Sequence, residues 1–137
     1  VVGVAHAPLI FSLSNAFPLC PDPRYVPDTV LSQLEENGGV VMVNFYPPFV
    51  SCQEEASIAQ VADHIDYIRS ICGSGCVGIG ADYDGVSNLA TGLDSVASYP
   101  KLFQELYERG YTPEELANVM GLNVLRALAQ AETVARS

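Results

Sequence analysis

The centre of the chain reads Val40-Val41-Met42-Val43-Asn44-Phe45, a nearly continuous apolar and β-branched run. Two runs of similar character flank it, Pro8-Leu9-Ile10-Phe11 on one side and Cys76-Val77-Gly78-Ile79-Gly80 on the other. None of the three alternates cleanly with polar residues. Apolar runs of this length are typical of strands that are buried on both faces, so the sequence predicts a parallel sheet.

Amphipathic helices are predicted between the strands and after the last of them. The segment 57–72 carries Ile58, Val61, Ile65 and Ile68 at alternating steps of three and four residues, which predicts a helix with one face on a sheet. The other helices are predicted at 27–36, at 99–109, and after the capping sequence Thr112-Pro113-Glu114-Glu115 toward the end of the chain.

The order β-α-β-α-β followed by helices predicts an α/β fold with three parallel strands and right-handed crossovers. The strands begin near residues 8, 40 and 76, a repeat of roughly 30–36 residues that matches the length per unit of a (β/α)8 barrel. Three such units make under half a barrel. A small self-sufficient three-layer domain has the same periodicity, and the spacing leaves both architectures open.

Composition and charge narrow the classes of partner. The chain has 137 residues, of which 49% are hydrophobic, and a formal net charge of −10, as expected for an acidic globular domain. This charge repels phosphate backbones and anionic lipid, so neither nucleic acid nor a membrane surface is expected as a partner. No apolar run reaches the ~20 residues that a membrane span needs.

Polar residues follow the predicted strands, at the edge where active sites of parallel α/β folds form. They are Ser12-Leu13-Ser14-Asn15 and Arg24 after the first strand, Asn44 at the end of the second, and Asp82-Tyr83-Asp84-Gly85 after the third. The last group is not an EF-hand calcium loop, because Ser87 and Leu93 occupy the positions that require glycine and glutamate. For His6 and His64, a surface or structural role is expected, since no histidine pair occurs at zinc-ligand spacing.

Several motifs closely resemble the renal (membrane) dipeptidase family. They are Ala7-Pro8-Leu9-Ile10-Phe11-Ser12, Arg24-Tyr25-Val26-Pro27-Asp28, Gly39-Val40-Val41-Met42-Val43-Asn44-Phe45-Tyr46, Gln60-Val61-Ala62-Asp63-His64-Ile65-Asp66-Tyr67-Ile68, Gly78-Ile79-Gly80-Ala81-Asp82-Tyr83-Asp84-Gly85-Val86 and Asn123-Val124-Leu125-Arg126. The similarity covers essentially the whole chain, with the motifs in the family's order.

The resemblance implies that residues 1–137 are the C-terminal part of a (β/α)8 TIM barrel, with the sixth to eighth strands and the C-terminal helices. It implies zinc-dependent hydrolysis of dipeptides at a two-zinc centre, where the ions activate a bridging water and polarise the peptide carbonyl. Most of the zinc ligands are expected upstream of Val1, so this segment alone is expected to be inactive and unable to bind the ions. A homodimer of the full-length protein is also implied.

The resemblance assigns roles to four residues of this chain. Arg24 matches the arginine that binds the free carboxylate of the substrate, for which a guanidinium has the right fork geometry. Asp82 matches the aspartate near the substrate amine and the departing nitrogen, where a carboxylate can bind an ammonium group or carry a proton. Cys20 and Cys52 match a family disulfide, which, if it forms, indicates a secretory or otherwise oxidising compartment.

Two further cysteines are expected to form no disulfide, and two positions differ from the family's residues. Cys72 and Cys76 are expected to be buried thiols. Leu13 occupies the position of a zinc-ligating histidine of the family, and leucine cannot coordinate a metal; Tyr25 replaces an asparagine. Two alternatives to an enzyme therefore stay open: a catalytically inactive family member that binds ligands or partners through Arg24 and Asp82, and an independent small α/β module.

Overall fold

A computed structural model describes residues 2–137. The strands are β1 (Ile10–Ser14), β2 (Val40–Asn44) and β3 (Val77–Ala81). The α-helices are α1 (Asp28–Asn37), α2 (Pro47–Val50), α3 (Ile58–Cys72), α4 (Tyr99–Glu108), α5 (Pro113–Ala117) and α6 (Asn123–Ala135). Short 3-10 turns lie at Val2–Val4, Ser74–Cys76 and Val96–Ser98, and a π-helical turn at Asn118–Leu122 joins α5 to α6.

The sheet is parallel throughout, in the order β1-β2-β3, as the sequence predicts. The first strand, however, begins two residues later than predicted. Pairing with β2 sets its position, since Ile10 lies opposite Val40, and this places Ser12, Leu13 and Ser14 inside the strand instead of after it. Ile10 and Ser12 are exposed in β1, which pairs only with β2 among the described residues.

The core lies between one face of the sheet and the helices. Val41 and Val43 of β2 are fully buried, and Leu34 of α1 and Ile65 and Ile68 of α3 belong to the same buried cluster. The apolar face of α3 is therefore the one that its three- and four-residue spacing predicts. A capping box between Ser57 and Gln60 fixes the start of this helix.

The prediction for Cys72 and Cys76 is wrong, because the structure joins them in a disulfide with Cα atoms 5.9 Å apart. The chain reverses direction between them: Gly73 ends α3 with a φ of 84°, and the turn Ser74–Cys76 brings the second cysteine back over the first. Glycine permits this reversal, since positive φ is unfavourable for other residues.

His64 is buried and structural, as expected from its position in α3. Its Nδ1 accepts a hydrogen bond from the backbone N–H of Ala16 at 3.2 Å, and its Nε2 lies 2.8 Å from the carbonyl oxygen of Val50. These partners select the neutral Nε2–H tautomer, which donates to Val50. Burial, the largest cause, lowers the pKa of His64. One imidazole thus joins α3 to the loop after β1 and to α2.

No helix within residues 2–137 is both long and apolar enough to cross a bilayer.

We predict that His64 makes the fold sensitive to mild acid. Because the folded-state pKa lies below the ordinary value of 6.5, the free energy of unfolding should be constant above about pH 7 and should fall as the pH drops below 6.5. Urea unfolding followed by circular dichroism between pH 5 and 8 measures this slope. His64→Gln should remove it, at a cost of roughly 1–3 kcal/mol from lost hydrogen bonds. An unchanged slope in the variant would contradict this role.

Apolar surface is exposed on the outer strand β1 and along the last helix, α6. Ile10 of β1 is 39% exposed, and Leu125 and Leu128 of α6 are 61% and 50% exposed. Both β1 and β3 also have one side without a partner strand among the described residues. Unpaired strand edges and apolar patches of this kind favour association with other chains.

We expect residues 1–137 in isolation to self-associate. Sedimentation velocity across a wide range of protein concentrations should show a mean mass that rises with concentration. Replacing both Leu125 and Leu128 with Glu should shift the distribution toward monomer, whereas Tyr107→Glu, at an exposed position of α4, serves as the control for added charge. A single monomer peak at all concentrations would show that these surfaces do not drive association.

Candidate active site

Two irregularities in the sheet shape its carboxyl edge. Between β1 and β2 the register shifts between Phe11 and Ser14, and between β2 and β3 it shifts between Val43 and Asn44. Each shift places an extra residue in the outer strand, the arrangement of a β-bulge, which re-aims the side chains beyond it. Leu13, with a φ of 56°, lies at the first bulge, and Ala81, with a φ of 53°, lies at the second.

Gly80 allows the strands to approach closely at this point. A Cβ atom there would lie 2.7 Å from the carbonyl oxygen of Met42 and 3.1 Å from the backbone nitrogen of Leu13. The first distance is too short for any Cβ atom, and the second would be a tight contact, so glycine is required.

Asp82 turns toward Asn44 immediately after β3. Its Oδ2 accepts a hydrogen bond of 2.9 Å from Asn44 Nδ2. The residue has a φ of 82°, and its backbone N–H donates to the carbonyl of Gly80 at 2.7 Å. Gly85 lies against the carboxylate, where a Cβ atom would collide with Asp82 Oδ1. The carboxylate is therefore held from both sides.

An aromatic cluster lies beside this turn. Tyr83 packs against Phe45 and Tyr99, with ring centroids 6.1 and 6.2 Å apart. Burial raises the pKa of the Tyr83 phenol to about 12. Tyr83 therefore stays protonated at neutral pH, and its role is to pack the turn that carries Asp82.

Arg24 lies in the exposed loop between β1 and α1. Ser14 Oγ donates a hydrogen bond of 3.0 Å to the Arg24 carbonyl, which ties the loop to the end of β1. The guanidinium carbon lies 4.4 Å from the ring centroid of Phe49 in α2, a cation–π contact. Within the described residues no carboxylate forms an ion pair with Arg24. Its guanidinium thus keeps free donors for an external anion.

A disulfide between Cys20 and Cys52 joins the loop of Arg24 to the segment after α2, with Cα atoms 5.5 Å apart. The pairing that the resemblance implies is present, within the ~7 Å limit for such a bridge. Tyr25, which replaces the family's asparagine, is buried edge-on against Phe49, with ring centroids 5.9 Å apart. The disulfide and this aromatic contact both fix α2 beside Arg24.

Leu13, Asn44 and Asp82 lie at one common edge of the sheet, as predicted. The residues described here do not fit a complete metal site: no group of three or more His, Cys, Asp or Glu side chains in 2–137 is arranged to hold an ion. The Leu13 side chain also offers no donor atom at the position that the resemblance assigns to a histidine. A cavity of about 500 Å3, lined by residues that include Gly39 and Cys76, lies at the opposite end of the strands.

The contacts of three contributors to this site are not evident from the sequence. Phe49 lies on α2, a helix of only four residues that is too short to show periodicity, although its first residue is a proline. Asn15 accepts a hydrogen bond from the backbone N–H of Asn44, and Gly85 lies against the Asp82 carboxylate. No motif indicates either contact. The proline at the start of α2 is the one signal that could indicate a helix there.

Comparison with known proteins identifies the family. The sequence model of the membrane dipeptidases (Peptidase family M19) matches residues 1–137. Dipeptidase aclJ of Aspergillus oryzae is 48% identical over 139 residues, with 100% of this chain and 33% of the relative covered. Human Dipeptidase 3 is 42% identical over 134 residues, with 98% and 28% covered. The chain therefore spans about a third of the length of these curated relatives.

A solved structure shows the same fold. The metallopeptidase from Rhodobacter sphaeroides, liganded with a phosphinate mimic of the dipeptide L-Ala-D-Ala, superposes with a TM-score of 0.85 and 26% identity. The match covers 94% of this chain and 38% of that protein. The three parallel strands and their helices thus correspond to part of a larger (β/α)8 barrel. On sequence and on fold, this chain belongs to the membrane dipeptidase family of metallopeptidases.

Proposed function

We propose that these residues form the substrate-binding part of a longer, zinc-dependent enzyme that hydrolyses dipeptides. The observation that carries the proposal is at the carboxyl ends of the strands, where Arg24, without an ion-pair partner among the described residues, follows β1 and the positioned Asp82 carboxylate follows β3. Family membership supplies the reaction class. An enzyme restricted to dipeptides must bind both termini of its substrate, and these two residues have the opposite charges that this requires.

Arg24 is proposed to bind the free carboxylate of the dipeptide. The guanidinium can form two parallel hydrogen bonds with a carboxylate, a geometry that Lys cannot reproduce. Stacking on Phe49 limits the orientations of the guanidinium before substrate arrives, so less conformational entropy is lost on binding. The Cys20–Cys52 bridge supports the same loop, and we propose that the protein matures in an oxidising compartment.

Asp82 is proposed to bind the ammonium group of the substrate and to carry a proton to the departing nitrogen. Its Oδ1 is not hydrogen-bonded to any described side chain, so this oxygen is free to accept from a substrate amine. Two zinc ions, held by ligands outside this segment, would supply the activated water and polarise the carbonyl. No group of three or more His, Cys, Asp or Glu side chains within 2–137 is arranged to hold an ion.

Leu13 favours a second candidate function. A leucine in place of a ligating histidine leaves one ion with fewer ligands, while Arg24 and Asp82 are retained. A family member of this kind would bind dipeptides or peptide termini without cleaving them. The two candidates differ in one outcome, turnover, because both predict binding of a ligand with a free carboxylate.

We predict that Leu13→His in the full-length protein raises zinc content toward two ions per chain and raises dipeptide hydrolysis with it. Loss of an outer partner of a metal ligand typically costs about 10–100-fold in affinity or activity, and loss of a ligand itself should cost at least as much. The backbone should accept the change, because a φ of 56° is unfavourable for leucine whereas histidine is enriched in this conformation. Metal analysis and a dipeptide cleavage assay on both purified forms measure the effect.

Leu13→Asn is the matched control, since asparagine also fits the left-handed backbone but lacks an imidazole. It should leave zinc content and hydrolysis at the level of the Leu13 protein. Two tightly bound zinc ions in the Leu13 protein, with no change in either quantity on substitution by His, would contradict the assignment of this position. Binding of dipeptide without turnover in both forms would favour the second candidate function.

A further inference from the structure

We propose that Asn44 is a positioning residue that fixes the carboxylate of Asp82 for the substrate amine, and that Asn15 holds Asn44 in place. The inference rests on the proposed function for the role of Asp82, and on the geometry of side-chain amide contacts for the role of Asn44. It assigns a task to two asparagines that bear no charge and cannot themselves activate a water.

The side chain of Asn44 is hydrogen-bonded through both of its polar atoms. Asn44 is completely buried at the end of β2. Its Oδ1 accepts a hydrogen bond from the backbone N–H of Tyr46 at 2.6 Å, and its Nδ2 donates one to Asp82 Oδ2 at 2.9 Å. The acceptor contact with Tyr46 determines which end of the amide is oxygen. The NH2 group must then face Asp82, so the orientation of the amide is set by the backbone.

Asn15 supports this arrangement from the other side. It too is fully buried, its Oδ1 accepts from the backbone N–H of Asn44 at 3.0 Å, and its Nδ2 donates to the carbonyl of Phe49 at 2.9 Å. The backbone N–H of Asn44 lies beside the register shift in the sheet. Asn15 satisfies this donor, which would otherwise be buried without a partner.

The hydrogen bond from Asn44 orients the carboxylate of Asp82. With Oδ2 bound to Asn44, and with space beside Oδ1 that only a glycine at position 85 leaves open, the carboxylate has a fixed orientation and Oδ1 is the oxygen left for the substrate amine. Precise placement of such groups is worth a large factor in rate, since an ångström of displacement can cost about 100-fold. Without the amide donor, Asp82 keeps its charge but loses its fixed orientation.

The first experiment detects the contact itself. In the full-length protein with 15N-labelled asparagine, the side-chain NH2 resonances of Asn44 are identified by their absence in Asn44→Asp. In Asp82→Ala these resonances should shift, and their exchange with solvent should quicken, because the acceptor is gone. Resonances that do not respond to Asp82→Ala would overturn the inference.

The second experiment measures hydrolysis of a dipeptide by full-length protein that carries Leu13→His. Asn44→Ala should lower kcat/KM by up to about 100-fold in folded protein, because displacement of a catalytic group by an ångström can cost that much. In the Asp82→Ala background the same substitution should cost nothing further, because Asn44 acts only through Asp82. Losses that multiply in the double variant would show a general structural role and overturn the inference.

Asn123→Ala is the matched control. Asn123 is also buried and donates to two carbonyls, of Ser74 and Val77, at the opposite end of β3. Its replacement should lower the thermal midpoint while kcat/KM per folded molecule is unchanged. A loss of kcat/KM as large as that of Asn44→Ala would indicate that any buried amide has this effect, and would also overturn the inference.

The two proposals fail in different ways. Hydrolysis absent from both the Leu13 protein and its Leu13→His variant, with the Asn44 resonances still responding to Asp82→Ala, would refute the proposed enzyme activity and leave the contact intact. Hydrolysis present, with Asn44→Ala equal to its parent, would refute the positioning role alone.

Discussion

Parallel pairing of three strands is the constraint on which the site depends. Because β1, β2 and β3 run in one direction, their carboxyl ends meet at a single edge, and residues far apart in sequence become neighbours there. Asn44 and Asp82 hydrogen-bond across this edge for that reason. An antiparallel arrangement would place them at opposite ends of the sheet.

The backbone is irregular at this edge, and several polar side chains near it are buried. The two bulges remove residues from the regular ladder, and Leu13, Ala81 and Asp82 adopt positive φ angles that cost about 1–2 kcal/mol each for residues other than glycine. Asn15, Asn44 and His64 supply buried hydrogen bonds to the backbone groups around them. The fold thus stabilises a strained edge with side-chain amides and one neutral imidazole, and this is where the proposed substrate-binding residues lie.

Much of the fold follows from the sequence, whereas the detail of the site does not. The strands β2 and β3 and the helix α3 are predictable because burial on both faces and a three-to-four spacing leave strong patterns. The first strand is predicted two residues early because pairing with β2 sets its position, and because its last residues include serines that hydrophobicity does not mark. The sequence predicts thiols at Cys72 and Cys76 because only the turn at Gly73 reveals that they meet. Arg24 and Asp82 are identified by family resemblance, and their roles are proposals. Asn15 is predicted to lie at this edge, but its contacts and those of Phe49 are not predictable, since they depend on bulge and loop geometry.

The proposed binding mode is tested most directly by a crystal structure of the full-length protein grown with zinc and a phosphinate mimic of a dipeptide. We expect the ligand's carboxylate within hydrogen-bond distance of the Arg24 guanidinium and its amine within hydrogen-bond distance of Asp82 Oδ1, with Asn44 still bound to Oδ2. A ligand that is well ordered elsewhere, with Arg24 remaining on Phe49 and Asp82 facing only solvent, would contradict it.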